Sequence, residues 1–270
     1  MTLLPTQKTP PKMSIADLTA VVYGPAKIGK STFCSNADNA LFLATEPGLN
    51  NLDTYQVDVR TWDDLLGACA ELAAGNHPFK TVVIDTIDNA YKMCEEYICK
   101  KHGVDYHGDL AYGKGFSLVN NEFQRVLTKL AFMPYGLYLV SHAQEIEVDS
   151  RTGKYHRIVP TIPEKARRIL LGLADMILFC DIETVMGADG KPATKRVMRT
   201  KLSLAYESGD RTGRLPETID LNYNAFLRAF TGESEPSKDA KPAAGSTPST
   251  GNTPVPPTVT TAKSKAQEEK

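Results

Sequence analysis

The chain has 270 residues, of which 41% are hydrophobic, and its formal net charge at pH 7 is −1. This apolar content is sufficient for a sizeable core, and the near-neutral charge excludes a global basic field, so any nucleic-acid contact needs a local patch. No apolar run approaches the ~20 residues of a membrane span. The cysteines are scattered and the first residues lack an export signal, so we expect a soluble cytoplasmic protein with reduced thiols.

The composition predicts three segments. Prolines near the amino terminus predict a flexible stretch over 1–13, and 14–232 is expected to form one α/β domain. From Glu233 onward the chain contains no Leu, Ile, Phe, Tyr, Trp or Met. Such a segment cannot bury enough apolar surface to offset its ordering entropy, so 233–270 is predicted to be a disordered tail. It either solubilises the protein or tethers a partner.

Apolar, β-branched runs alternate with helical patterns through the domain. Strands are predicted at 18–24, 40–45, 80–86 and 135–142, and helices at 61–75 and 120–133. Two later runs, 176–185 and 195–204, predict an antiparallel hairpin with Asp189 and Gly190 at its turn. This alternation predicts a mainly parallel sheet with helices on both faces.

The stretch GPAKIGKST fits the phosphate-loop pattern GxxxxGK[ST] and lies between a predicted strand and a helix. Backbone N–H groups of such a loop converge on phosphates, and glycines permit the close approach. We expect Lys30 to reach the β and γ phosphates of ATP and Ser31 to bind Mg²⁺. The residues expected to surround the nucleotide are Gly24, Pro25, Ala26, Lys27, Ile28, Gly29, Lys30, Ser31 and Thr32.

Carboxylates follow two of the predicted strands. Asp85 ends the run TVVID, which places it at the carboxyl edge of the sheet, where it is expected to support the metal beside Ser31. Many phosphate-loop ATPases have a water-activating Glu directly after this Asp, but here the next residue is Thr86. Glu46, after the second predicted strand, is the candidate to orient or deprotonate the attacking water. The alternative for Glu46 is a cap of the turn at Pro47.

Polar residues also follow the fourth predicted strand. Ser141, His142 and Gln144 come directly after an apolar run, again at the predicted ligand-binding edge. His142 or Gln144 could contact the γ-phosphate and report its presence to the next segment. A loop histidine without a ligand is the alternative.

Taken together, these features resemble the RecA-type recombinase core. They more closely resemble small phage-encoded, core-only RecA-like ATPases of the single-strand annealing type, which have an AAA/RecA-like ATP-binding domain. The resemblance covers about 18–230. It rests on the phosphate loop, Glu46, Asp85 and the polar residues after the fourth strand, in that order, with 109–127 and 209–221 as further matching stretches.

The resemblance implies a RecA-like P-loop NTPase fold and a DNA-stimulated ATPase with ATP and Mg²⁺ as cofactors. The protein would bind single-stranded DNA and promote annealing in recombination, in the cytoplasm of a bacterial host. Glu46 becomes the catalytic carboxylate and His142 the γ-phosphate sensor. A single-strand-binding protein is an expected partner.

The resemblance also implies a homo-oligomer, either ring or filament, with ATP between subunits. A basic residue of the neighbour then touches the phosphates, and Arg211, backed by Lys201, is the candidate. Members of the family often have Lys before the Asp–Arg pair, whereas this chain has Gly209, so the contact would depend on arginine alone. A solvated loop charge is the alternative for Arg211.

In RecA-like proteins the segment after the sensor strand meets DNA. Here it combines basic side chains with an aromatic, which could follow a single-strand backbone and stack a base. The candidate DNA contacts are Arg151, Lys154, Tyr155, Arg157, Arg167 and Arg168. The acidic run EIEVDS interrupts this basic character. A solvated hairpin at 150–153 that leads to a surface helix is therefore the alternative.

Two other functions fit parts of this pattern. The chain could be a phosphate-loop nucleotide switch or assembly factor that acts on a protein partner without DNA. It could also be a small-molecule kinase, but the sequence indicates no acceptor pocket. DNA stimulation of ATP turnover distinguishes the leading hypothesis from both.

Overall fold

The computed structural model describes residues 5–12, 14–110, 113–151, 153–187 and 190–233, and a ten-stranded sheet organises this part of the chain. The predicted tail from 234 onward and Asp189 of the predicted turn lie outside the described residues. The strands are β1 Thr19–Gly24, β2 Ala40–Ala44, β3 Tyr55–Asp58, β4 Thr81–Asp85, β5 Gly136–Ser150, β6 Gly153–Pro160, β7 Met176–Met186, β8 Pro192–Arg199, β9 Gly209–Asp210 and β10 Thr218–Asp220. The helices are α1 Lys30–Ser35, α2 Trp62–Ala74, α3 Ile87–His102, α4 Lys114–Ala131, α5 Glu164–Leu173 and α6 Tyr223–Thr231, with 3-10 turns at Ile15–Asp17 and His107–Asp109.

The main path of the sheet runs in the order β10-β8-β7-β1-β5-β4-β2-β3. The six strands from β7 to β3 are parallel, and β8 and β10 extend the sheet antiparallel beyond β7. The predicted α/β class, a mainly parallel sheet with a C-terminal antiparallel hairpin, is confirmed. No helix in the described ranges is long and apolar enough to cross a membrane.

Two hydrophobic cores cover the two faces of the sheet. Leu43 and Ile84 point to a core shared with α2, α3, α4 and α5, whereas Phe42 and Val83 point to a core shared with α1 and α6. The central strands are buried on both faces, which explains why they read as continuous apolar runs rather than as alternating patterns.

Helix α2 shows how local signals fix an element. The side chain of Thr61 accepts a hydrogen bond from the backbone N–H of Asp64, and the Asp64 carboxylate accepts from the Thr61 backbone, forming a capping box. Gly75 ends the helix in the left-handed conformation, with φ of 74°. The helix predicted over 61–75 is confirmed at both ends.

Strand β5 is longer than predicted. The sequence predicts its end at His142, but it continues to Ser150 and pairs antiparallel with β6. The hairpin predicted as the alternative at 150–153 is confirmed, and α5 follows it. Ile146 and Val148 alternate with acidic residues there, which is the period of a strand. The predicted strand at 195–204 also differs, because β8 runs from Pro192 to Arg199.

Candidate functional site

The phosphate loop joins β1 to α1 and requires glycine at both ends. A Cβ atom at Gly24 would lie 2.5 Å from the backbone oxygen of Cys180 on β7, and Gly29 adopts φ of 113° before α1. Lys30 is buried, and its Nζ donates to the carbonyl oxygens of Gly24 at 3.0 Å and Pro25 at 2.9 Å. Burial lowers the pKa of the Lys30 ammonium. The loop thus holds a cation at its centre.

The outer side of the loop contacts β8. The guanidinium of Arg196 donates from Nη1 to the carbonyl oxygen of Ile28 at 3.1 Å. The same nitrogen lies 3.0 Å from the position that a Cβ atom would take at Gly29. Sequence reasoning missed Arg196, because the contact joins residues 168 positions apart. The remaining loop residues, Pro25, Ala26, Lys27 and Thr32, are exposed.

Ser31 and Asp85 form an oxygen pair beside the loop. The Ser31 hydroxyl donates to Oδ2 of Asp85 at 2.6 Å. Asp85 is the last residue of β4 and is buried, and burial raises the pKa of its carboxyl. A hydroxyl and a carboxylate are hard oxygen ligands of the kind that Mg²⁺ uses together with substrate phosphates. The chemistry of this pair therefore fits Mg²⁺.

The strand order places the sensor candidates next to the loop. Because β5 lies between β1 and β4, His142 is in register with Gly24, and Val140 is in register with Asp85. Ala44, at the end of β2, is also in register with Asp85. These strand ends meet at one edge of the sheet, where ligands of open α/β sheets bind.

Glu46 and His142 are in contact at this edge. Nε2 of His142 lies 3.4 Å from Oε1 of Glu46. The other carboxylate oxygen, Oε2, accepts a hydrogen bond of 3.1 Å from Nδ2 of Asn89 on α3. Gln144, the other sensor candidate, donates to the carbonyl of Pro160 on β6 at 3.4 Å. The structure thus groups Glu46 with His142 and directs Gln144 to the hairpin.

Asp88 fixes the end of the sensor strand. Its Oδ1 accepts from the Ser141 hydroxyl at 2.7 Å, and its Oδ2 accepts from the backbone N–H of His142 at 2.9 Å. Burial raises the pKa of the Asp88 carboxyl to about 6. Sequence reasoning missed Asp88 and Asn89. A sequence signal for both was present, because two polar residues lie in the first turn of the helix that follows the strand ending at Asp85.

Arg211 lies at the other edge of the sheet. Its backbone N–H donates to the carbonyl of Asp175, and Nη2 donates to the carbonyl of Gly172 at 3.2 Å. Asp175 itself donates to Thr19, the first residue of β1, whereas the phosphate loop follows the last residue of β1. The structure does not bring Arg211 to the phosphate loop of its own chain. Lys201 lies nearby, with Nζ 3.5 Å from a carboxylate oxygen of Asp210.

Two of the four predicted DNA contacts on the β5–β6 hairpin form ion pairs. Lys154 contacts Glu147 at 2.6 Å. Arg157 lies 3.4 Å from the carboxylate of Glu207 and donates to the carbonyl of Ser203. Arg151 is exposed at the hairpin tip, and Tyr155 is half-buried on β6.

The other two predicted DNA contacts lie on α5. Arg168 pairs with Glu164 one turn earlier. Arg167 donates to the carbonyl of Ile162 at 3.3 Å, and burial lowers the pKa of its guanidinium. The basic candidates are thus divided between a hairpin and a helix rather than arranged along one strand.

Comparison with known families identifies one match over most of the chain. The sequence profile described as an AAA domain matches residues 16–212. No curated protein matches the chain. The matched range includes the phosphate loop, Glu46, Asp85, His142 and Arg211, and it ends before β10 and α6.

Proposed function

This chain belongs to the AAA domain family, and we propose that it is a phage-encoded, RecA-like ATPase that binds single-stranded DNA and promotes annealing. Family membership indicates a nucleotide-binding ATPase. The observation that carries the finer proposal is that five side chains meet at one sheet edge, where the β5–β6 hairpin begins. They are those of Lys30, Ser31, Asp85, Glu46 and His142.

The phosphate loop binds ATP through its backbone N–H groups and Lys30. Lys30 exchanges its two loop carbonyls for phosphate oxygens, and the charge of the phosphates compensates for the burial of its ammonium. Ser31 and Asp85 would hold Mg²⁺, which neutralises phosphate charge when bound. The guanidinium of Arg196 keeps the outer side of the loop in place.

Glu46 is the base in the proposed hydrolysis. A water oxygen attacks the γ-phosphorus, the bond to the β-phosphate oxygen breaks, and Glu46 accepts the proton of the water. While ATP is bound, His142 contacts the γ-phosphate. When the phosphate leaves, His142 returns to its contact with Glu46. His142 directly precedes the part of β5 that pairs with β6, so in this proposal a shift of His142 moves the hairpin.

Single-stranded DNA binds to the β5–β6 hairpin in this proposal. Arg151 at the tip meets the phosphate backbone, and Tyr155 stacks on a base. Lys154 and Arg157 exchange their carboxylate partners for DNA phosphates, and because those ion pairs must break, the affinity for DNA is moderate. The phosphate contacts make this affinity dependent on salt.

A ring or filament of identical chains completes the site in this proposal. Arg211 lies at the edge of the sheet opposite its own phosphate loop, so a head-to-tail neighbour can offer it to the nucleotide. A single-strand-binding protein is the proposed partner on DNA.

A second function is a nucleotide switch that acts on a protein partner without DNA. The pairing of Lys154 with Glu147 and of Arg157 with Glu207 favours it, because a charge-balanced hairpin suits a protein surface. In that case DNA leaves ATP turnover unchanged.

The proposed function is tested by fluorescence anisotropy of a labelled single-stranded oligonucleotide with ATP·Mg²⁺, ADP·Mg²⁺ or no nucleotide. We expect salt-sensitive binding that requires ATP and is lost in Lys30→Ala, together with stimulation of hydrolysis by the oligonucleotide. Hydrolysis without any nucleotide-dependent DNA binding would reject the DNA proposal and support the protein switch.

The role of Glu46 is tested by Glu46→Gln. This variant keeps the shape of the side chain and removes the base, so ATP binding persists while kcat falls about 10²-fold or more. Calorimetric titration with ATP and a phosphate-release assay measure the two quantities. Full turnover in Glu46→Gln would remove Glu46 from the mechanism.

A further inference from the structure

From the hydrogen bond between Asn89 and Glu46, we infer that Asn89 is a positioning residue that holds the Glu46 carboxylate in the orientation needed to deprotonate water. The inference rests on the proposed catalytic role of Glu46. It extends that role by naming the group that orients the base.

The two oxygens of Glu46 have different partners. Oε2 accepts from the Asn89 amide at 3.1 Å, and Oε1 faces Nε2 of His142 at 3.4 Å. Glu46 follows β2 without belonging to a helix or strand, and its side chain is one-third exposed. A carboxylate on such a segment is free to rotate unless a more rigid element holds it.

Asn89 lies on such an element. It is in the first turn of α3, which begins two residues after β4 ends at Asp85. The preceding residue, Asp88, anchors this turn to β5 through the Ser141 hydroxyl and the His142 backbone N–H. The first turn of α3 is therefore fixed to the sensor strand on one side, and through Asn89 it holds Glu46 on the other.

An amide is suited to this position because it orients the carboxylate without neutralising it. An ammonium here would form an ion pair with Glu46 and weaken the base, and a carboxylate would repel it. The charged and titratable groups that act on Glu46 are Lys30 of α1, Asp85 of β4, Asp88 of α3 and His142 of β5. Asn89 contacts Glu46 without adding a charge to this set.

The test compares Asn89→Ala, Asn89→Gln and Asn89→Asp in ATP binding and turnover. Asn89→Ala removes the donor, so kcat falls about tenfold, as expected for the loss of one hydrogen bond to a charged group. The affinity for ATP stays within about twofold, because Asn89 does not contact the phosphate loop. Asn89→Gln keeps an amide and retains part of the activity.

The Asn89→Asp variant gives a readout that a merely structural residue would not change. Two carboxylates at hydrogen-bonding distance retain a shared proton to a higher pH than one does. The acid limb of the kcat–pH profile therefore moves to higher pH in Asn89→Asp relative to the wild type. In Asn89→Ala the limb does not make this move.

Asn120→Ala is the matched control, because Asn120 on α4 donates one amide hydrogen bond, to the Phe116 carbonyl, and accepts one of 3.4 Å from the Tyr91 hydroxyl, and neither partner belongs to the proposed site. We expect its kcat to match the wild type.

If Glu46→Gln abolishes turnover while the Asn89 variants keep kcat and the acid limb, the assignment of Asn89 is wrong and the role of Glu46 stands. If Glu46→Gln retains turnover, the proposed function of Glu46 itself fails. A rise in kcat in Asn89→Ala would also overturn the assignment.

Discussion

Gly24 is the position where side-chain size has the largest effect on the phosphate loop. A Cβ atom there would approach the Cys180 oxygen to 2.5 Å, and this oxygen belongs to the backbone of a buried strand. We expect Gly24→Ala to lower the free energy of unfolding by about 2 kcal/mol, as overpacking in a core does. Urea unfolding followed by circular dichroism measures the change.

Gly67 provides the control for this prediction. It lies inside α2, and a Cβ atom there would meet nothing within 4 Å. Gly67→Ala is therefore expected to raise the free energy of unfolding by about 0.5–1 kcal/mol, because alanine restricts the unfolded chain and favours a helix. Equal effects of the two substitutions would contradict the steric argument.

Asp88 makes stability depend on pH. Burial raises the pKa of its carboxyl from 3.8 to about 6, so the folded state binds more protons than the unfolded state between these values. The contribution of Asp88 to stability is therefore present at low pH and is lost as the pH rises through 6. We expect the stability advantage of the wild type over Asp88→Asn to shrink by about 2 kcal/mol from pH 4.5 to pH 7. Denaturant unfolding at both pH values measures it, and an advantage that grows with pH would refute the assignment.

Local spacing predicts some site residues and not others. Lys30 and Ser31 follow from the phosphate-loop pattern, and Asp85 follows from the apolar run before it, because each signal lies within a few neighbouring residues. Arg196 and Asn89 reach their partners across 168 and 43 positions. Side-chain contacts at such separations depend on strand order and register, which the local pattern does not contain.

At the scale of elements, the β5–β6 hairpin carries four of the six candidate DNA contacts, namely Arg151, Lys154, Tyr155 and Arg157. Arg151 is at its tip, whereas Arg168 is held by Glu164 on α5. If the hairpin binds the strand, Arg151→Ala reduces the slope of log Kd against log salt by about one unit. Anisotropy titrations over a salt series measure the slope. Arg168→Ala is the comparison, and a larger loss of slope there would move the contact from the hairpin to α5.

Elements with strong local signals were predictable, and those defined by distant pairing were not. The strands β1, β2 and β4 are buried on both faces and read as apolar runs, and α2 has its own caps. In contrast, β3 is an exposed edge strand, and the outer half of β5 is polar and stabilised by its pairing with β6. A polar run can be a loop or a strand, and its partner decides which it is.

For the molecule as a whole, the opposite placement of Arg211 and the phosphate loop predicts complementation between two inactive variants. In the proposed mechanism, a Glu46→Gln subunit lacks the base of its own site but still supplies Arg211 to the site of its neighbour. An Arg211→Ala subunit keeps the base of its own site but supplies no arginine to its neighbour. If neighbours share sites head to tail, a mixture of both variants recovers ATPase activity that neither has alone. A phosphate-release assay over a range of mixing ratios measures this. A mixture as inactive as its components would mean that Arg211 does not act on a neighbour.

Strand β5 is long enough to connect the candidate nucleotide site with the tip of the β5–β6 hairpin. Residues 137–140 of β5 pair with both β1 and β4, and His142 is the last residue that pairs with β1. From His142 the strand extends to Ser150 over about 27 Å, with β6 as its partner. The β6 side of this hairpin is held near its base, where the Ile158 N–H donates to the Ala205 carbonyl and Arg157 contacts Glu207. A rotation of about 5° at His142 displaces the tip by about 2 Å. If His142 contacts the γ-phosphate as proposed, the loss of that one contact would therefore be felt at the far end of the hairpin as a movement about the size of an atom.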